Sequence, residues 1–230
     1  MKISAEHIKL VSLHIPKTAG TSFRTILEER FGKPKVLHFD IYASGSIHAK
    51  RKPFDRNSFR KKTAVLHGHF SYTDLHNYVK LPQDVAMITW LRHPVDRVVS
   101  NYHFLNEIIA KRLKELPDEN LMSRMGRSLL EFAEQTENQN VMSRFLKGSD
   151  LSRFKFIGIQ DHFEEELVRL ERIMNWPPIV NRIHNATERL KLEISTREYE
   201  QIALLNQGDM MLFEQACHLR NQTLSTDSTK

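Results

Sequence analysis

The sequence holds one cysteine, Cys217, in 230 residues, so no intrachain disulfide is available. No stretch approaches the roughly 18 consecutive apolar residues that a membrane span needs. Residues 1–7 show neither an apolar run nor a secretory cleavage site. Internal repeats are absent, and so are low-complexity segments apart from a polar tail. No nucleic-acid motif is visible. These absences lead to the expectation of a cytoplasmic protein with no membrane span and no nucleic-acid partner.

A hydrophobic content of 40% and a charged content of 27% are those of a soluble globular protein. At this length one domain is the default. We expect it over residues 1–222, with a disordered tail over 223–230. The oligomeric state is not legible. The net charge is +6, and the segment 50–62 accounts for all of it, with seven basic residues and one acidic. That run reads either as a solvated loop or as a landing strip for an anionic substrate. Only Phe54 and Phe59 interleave its charges, too few to suggest base stacking.

In chain order, residues 8–13 read as a buried strand, and Phe23, Ile26, Leu27 and Phe31 have helical spacing before Gly32. Residues 36–39 are a candidate second strand, and 42–62 read as a loop. A β-rich run over 63–70 ends in His67-Gly68-His69, and a short helix follows over 72–79. Residues 84–92 are the clearest strand, apolar nearly throughout, as a strand buried on both faces would be. Pro94 suits the first turn of a helix over 95–113. Further helices are expected at about 127–136, 138–147, 163–174, 196–206 and 209–220. A last strand is expected at 155–159, loops at 114–126 and 181–194, and a frayed tail at 221–230.

Strands separated by helices imply an α/β fold, a central parallel sheet flanked by helices on both faces. Ligands in such sheets bind at the carboxyl ends of the strands. That rule brings residues 15–22, His67, His69 and Arg92 to one rim, because each closes an apolar strand.

The turn Lys17-Thr18-Ala19-Gly20-Thr21-Ser22 joins a strand to a helix start. Amides there lack intrahelical partners and sit at the positive end of the helix dipole, so the turn is a phosphate cradle. It does not fit G-x-x-x-x-G-K-[ST], because Lys17 precedes Gly20. No strand ends in an obvious magnesium-binding aspartate. The pattern points to a phosphate-bearing donor held by lysine and amides, with no metal required. Arg92 offers a planar, permanent cation for bidentate phosphate contact, and Ser100 follows two to three helical turns on. Arg97 is either a third cation or a surface arginine. His67 and His69 are candidates for a general base near neutral pH. A two-histidine metal site lacks an evident third ligand nearby.

His14-Ile15-Pro16-Lys17-Thr18-Ala19-Gly20-Thr21-Ser22-Phe23 resembles the 5′-phosphosulfate loop of the sulfotransferases that use 3′-phosphoadenosine 5′-phosphosulfate (PAPS). The branch it resembles most contains the heparan/uronyl 2-O-sulfotransferases and their bacterial relatives. Leu91 to Tyr102 is similar to the family's 3′-phosphate segment. Weaker likenesses occur at 156–163 and 209–213, so the resemblance spans roughly residues 10–216. It implies a P-loop-like sulfotransferase fold, with PAPS as donor and the hydroxyl of a sugar or anionic glycan as acceptor. It implies Lys17 to Ser22 on the 5′ side, with Lys17 on the bridging oxygen. Arg92 and Ser100 would hold the 3′-phosphate, and a His-x-His would include the base, with His69 ahead of an assisting His67. His14 would pack under the cradle and His93 would shape the rim. Asn138, Gln139, Asn140, Arg144 and Asn185 either face donor or acceptor or serve as caps and surface. Met210 and Met211 read as core. Two other readings stay open: an ATP-dependent kinase of the P-loop type, and a non-catalytic module that holds a polyanion.

Overall fold

The computed structural model describes residues 2–42, 44–55, 62–115, 126–179 and 194–227. Strand β1 (Ile3–Ser4) precedes β2 (Leu10–Leu13), and a turn leads to helix α1 (Gly20–Phe31). β3 (Val36–Ile41) is followed by the hairpin β4 (Ile47–Ala49) and β5 (Lys52–Pro53). Next come β6 (Val65–Gly68), α2 (Tyr72–Tyr78), β7 (Val79–Lys80), β8 (Ala86–Leu91) and α3 (Pro94–Glu115). The chain continues through α4 (Leu129–Ala133), α5 (Val141–Leu146), β9 (Phe156–Ile159), α6 (Phe163–Met174), α7 (Thr196–Leu205) and α8 (Gln207–Asp227).

Seven strands form one sheet in the order β5-β4-β3-β6-β2-β8-β9. From β3 to β9 every pairing is parallel, and β4 and β5 add an antiparallel edge. β1 and β7 pair separately. The five strands expected from sequence are all present. The edge hairpin was missed, because its turn residues Lys50 (φ 54°) and Arg51 (φ 65°) are both left-handed. Such a turn usually carries Asn-Gly, so two basic residues gave no signal there. Residues 56–61 of the basic run lie outside the described residues.

Side chains alternate across a strand, and the two faces separate cleanly. One face carries Leu10, Val36, Val65, Ile88 and Phe156, covered by Phe23 and Leu27 of α1 and Leu167 and Leu170 of α6. The other carries Val11, Leu13, Phe39, Leu66 and Met87, covered by Leu75 of α2, Met142 and Leu146 of α5 and Ala216 of α8. Apart from Ala216, each of these buried side chains contributes on the order of 1.5–3 kcal/mol. Phe23 and Leu27 therefore pin α1, and with it the turn that precedes it, against the sheet.

α8 starts two residues earlier than expected and runs to Asp227, through most of the expected frayed tail. The expected loop at 114–126 and that at 181–194 fall mostly on residues outside those described.

Candidate active site

The β2–α1 turn is unusual in its backbone. Lys17 (φ 71°) and Ala19 (φ 70°) are left-handed, although neither is glycine. Each such residue costs roughly 1–2 kcal/mol, so the turn is held by its surroundings. Thr18 is fully buried, and its Oγ1 donates to the Ile15 carbonyl at 2.9 Å. The Thr18 hydroxyl thus closes the turn from beneath. The first helical bond runs from the Phe23 N–H to the Ala19 carbonyl at 3.1 Å. The amides of Gly20, Thr21 and Ser22 precede it, and no side chain caps the helix at Ala19. Alternating left-handed residues ahead of such a terminus form a concavity lined with N–H groups.

Gly20 is required where it stands. A Cβ there would lie 1.9 Å from Cδ2 and Nε2 of the His14 imidazole. His14 leaves β2 on the same face as Ser12, and its ring fills the space under the first turn of α1. The sequence placed His14 beneath the cradle, and it is there.

Arg92 follows β8 directly, and its Nη1 donates to the Lys17 carbonyl at 3.4 Å. This contact joins the two halves of the sequence-predicted site across the β2–β8 pairing. Lys17 Nζ lies over the Phe104 ring of α3, 3.9 Å from its centroid. Burial lowers the Lys17 pKa from its ordinary value; Arg92 adds to this and Glu107 opposes it. Pro94 does begin α3, and Ser100 sits half-buried in its second turn.

Arg97 differs from both sequence expectations. It is fully buried and its Nη2 donates to the Asn138 carbonyl at 2.8 Å. Burial lowers its pKa to about 10, while buried Asp209 opposes that shift. Asp209 accepts the Met142 and Ser143 amides at 3.0 and 2.7 Å, capping α5. Asn138 holds the Phe132 carbonyl, and Asn140 accepts the Asp209 N–H. Gln139 and Arg144 likewise donate to backbone carbonyls. These polar residues brace α3, α4, α5 and α8 behind the rim. Met211 is 66% exposed, against the core reading. Asn185 and His184 lie outside the described residues.

His93 stacks on Tyr199 and meets Phe213 edge-on, and its backbone N–H donates to Asp161 at 3.4 Å. It shapes the β8 end of the rim by tying it to β9 and α7.

The third part is a cluster of four histidines and one carboxylate. Parallel register sets Ser12, His67 and His38 side by side. Two residues further along each strand, His14, His69 and Asp40 emerge on the same face. His67 is buried, and its Nδ1 shares a 2.9 Å hydrogen bond with Ser12 Oγ. Burial pushes its pKa down to about 3, with His38, His69 and Arg24 adding to the effect. His14 is likewise held well below its ordinary value, first by burial. The His69 side chain is 40% exposed, and its ring lies 4.3 Å from that of His14. Asp40 Oδ1 accepts the His69 backbone N–H at 2.9 Å and lies 3.1 Å from His69 Nδ1. Gly68 is needed between the histidines, since a Cβ there would lie 1.9 Å from the Phe39 carbonyl oxygen.

His38 and Asp40 were missed by sequence reasoning. His38-Phe39-Asp40 has the same period-two form as His67-Gly68-His69 and could have been found by it. The ligating atoms of His38, Asp40 and His69 lie within 4.8 Å of one another, so a third ligand for a metal does exist. Hydrogen bonding to the shared carboxylate accounts for the same geometry.

A lysine-bearing turn, an arginine tied to it and a histidine cluster stand together at the carboxyl ends of a parallel sheet in an α/β protein. The chain belongs to the sulfotransferase family, whose profile matches residues 1–216. It is 33% identical over 109 residues to the heparin sulfate O-sulfotransferase of Drosophila melanogaster. It is 32% identical over 107 residues to heparan sulfate 2-O-sulfotransferase 1 of Xenopus laevis, and 31% identical over 107 to that of Homo sapiens. Each match covers 44% of this chain and 30% of the relative, so the chain spans under a third of the length of these curated relatives. Among solved structures, a sulfotransferase from Alicyclobacillus acidocaldarius aligns with a TM-score of 0.48 at 14% identity, covering 93% of this chain and 97% of that one. The mouse sulfotransferase SULT7A1 complexed with PAP aligns with a TM-score of 0.42 at 14% identity, covering 87% of this chain and 64% of that one. Among the described residues no helix is long and apolar enough to cross a membrane.

Proposed function

We propose that this chain transfers the sulfonate of PAPS to a hydroxyl of a sugar or anionic glycan, with residues 1–222 as its catalytic domain. The observation that carries the reading is the Arg92 contact with the Lys17 carbonyl. It sets a guanidinium, an ammonium and an uncapped helix start on one rim. That clustered positive charge suits a donor that carries phosphate at both its 3′ and 5′ positions.

The donor supplies an activated sulfonate on a 5′-phosphate. The amides of Gly20, Thr21 and Ser22 and the Lys17 ammonium hold that phosphate, with Thr18 and Ala19 shaping the turn. Lys17 neutralises charge that develops on the bridging oxygen as the S–O bond breaks. Arg92 and Ser100 hold the 3′-phosphate. His69 Nε2 takes the proton of the acceptor hydroxyl as its oxygen bonds to sulfur. His67, buried and weakly basic, assists only by packing. Lys17 and Arg92 supply the charge stabilisation, so no metal is required. Its proposed compartment is the cytoplasm.

A thermal-shift comparison of adenosine 3′,5′-bisphosphate, ATP and heparin tests this, because a selective ligand of the folded state raises its midpoint. Adenosine 3′,5′-bisphosphate should give the largest shift, and Arg92→Ala should abolish it. A magnesium-dependent shift with ATP alone would favour a kinase. A heparin shift that survives Lys17→Ala and Arg92→Ala would favour a polyanion module.

A further inference from the structure

β3 and β6 end side by side, and the last outward pair on this face is Asp40 with His69. The Asp40 side chain is 6% exposed. Its Oδ1 receives the His69 backbone N–H, faces His69 Nδ1 at 3.1 Å, and lies 3.4 Å from His38 Nε2. We propose that Asp40 is the positioning residue for His69, its carboxylate fixing the proton on Nδ1 so that Nε2 is left as the base, with His38 bracing the carboxylate from the other side. This rests on the reading of His69 as the base.

An ionised carboxylate can only accept hydrogen bonds, so the imidazole nitrogen facing it must carry a proton. A neutral imidazole then has its lone pair on the other nitrogen. His69 Nε2 has no hydrogen-bond partner among the described residues. Three donors converge on Asp40 Oδ1, the His69 backbone N–H at 2.9 Å, His69 Nδ1 at 3.1 Å and His38 Nε2 at 3.4 Å, and donors so placed favour the ionised carboxylate. The ring cannot easily turn away, because His14 packs at 4.3 Å and the backbone of His69 is tied to the same oxygen. The charged and titratable groups around the pair are His14 from the β2 end, His67 and Arg24 behind it, and His38 on β3.

The first measurement uses the wild-type chain. Nitrogen-15 NMR of the imidazoles at pH 8 should find His69 protonated on Nδ1, and protonation on Nε2 would overturn the proposal. The second uses Asp40→Asn. The carboxamide keeps the shape, and its oxygen stays toward the His69 backbone N–H that Oδ1 accepts, so it faces Nδ1 as a neutral, weaker acceptor. We expect kcat to fall by about tenfold, the difference between a charge-assisted and a neutral hydrogen bond, with the KM for PAPS and the thermal shift by adenosine 3′,5′-bisphosphate unchanged. The fraction of His69 protonated on Nδ1 should fall. A kcat within about threefold of wild type together with unchanged tautomer populations would overturn the inference. Turnover lost to EDTA and restored by zinc would also overturn it, making Asp40 a ligand. His69→Ala separates the two levels. If it turns over normally, the base assignment fails. If it is inactive while Asp40→Asn is normal, only the role of Asp40 fails.

Discussion

The imidazole of His14 occupies the volume that a side chain at residue 20 would need, with Cδ2 and Nε2 each 1.9 Å from where a Cβ would stand. The cradle and the histidine cluster are therefore one packed unit, and a change on either side reaches the other. Gly20→Ala should lower stability by about 1–3 kcal/mol, the usual cost of overpacking, and weaken the thermal shift by adenosine 3′,5′-bisphosphate. Adding His14→Ala should recover part of both losses. Strict additivity in that double-mutant cycle would show that the two residues do not share the space.

Lys17→Ala should leave a folded protein with little transfer activity. Residue 17 sits at φ 71°, so Lys17→Gly should be at least as stable as Lys17→Ala, and equally inactive. Release of adenosine 3′,5′-bisphosphate by either variant at the wild-type rate would remove Lys17 from its assigned role.

Phe104 lies beneath the Lys17 ammonium, at 3.9 Å from Nζ to the ring centroid. Cation–π contacts of this kind contribute about 0.5–2 kcal/mol. Phe104→Ala should lower kcat/KM by roughly 2–30-fold on that basis, while Phe104→Tyr should preserve it. Steady-state kinetics on both variants decides whether the ring supports the lysine or merely lies next to it.

His67 gives stability a pH dependence of known sign. Its folded pKa, about 3, is below the ordinary histidine value, so between those two values the unfolded chain binds a proton that the folded chain does not. Stability is then fully present near pH 7 and declines as pH falls from about 6.5 toward 3, at up to about 1.4 kcal/mol per pH unit from this group. His67→Gln keeps a polar partner for Ser12 and removes the titration. Urea midpoints measured from pH 7.5 to 4.5 should show a shallower decline for the variant.

Asp209 is fully buried, close enough to Arg97 to affect its charge, and caps α5 through two backbone amides. Removing the carboxylate strips the Met142 and Ser143 amides of their acceptor and takes an opposing charge from the neighbourhood of buried Arg97, at a cost of about 1–3 kcal/mol. Asp209→Ala should lose that much in chemical denaturation. A loss under 1 kcal/mol would mean that Arg97 finds compensation elsewhere.

Much of the fold was legible because apolar strands and amphipathic helices announce themselves by period. Residues 86–91 and 163–174 were read almost to their ends for that reason. The hairpin at 47–53 was not, because its left-handed turn is made by Lys50 and Arg51 instead of by glycine or asparagine. Arg97 reads in sequence as one more helical charge. Its burial is set by what α4, α5 and α8 bring against it, and no local pattern carries that.

The sequence by itself determined the strand–turn–helix around Lys17 and Gly20, the arginine that closes β8, and the histidine pair that closes β6. Those follow from local periodicity, from the turn residues, and from the rule that parallel strands end on one rim. Tertiary structure alone decided which histidine is buried and which is exposed, and it brought Asp40 to His69 from 29 residues away. The reason is register: pairing β3 with β6 at His38 and His67 sets the next outward residues side by side, and only the assembled sheet fixes that alignment.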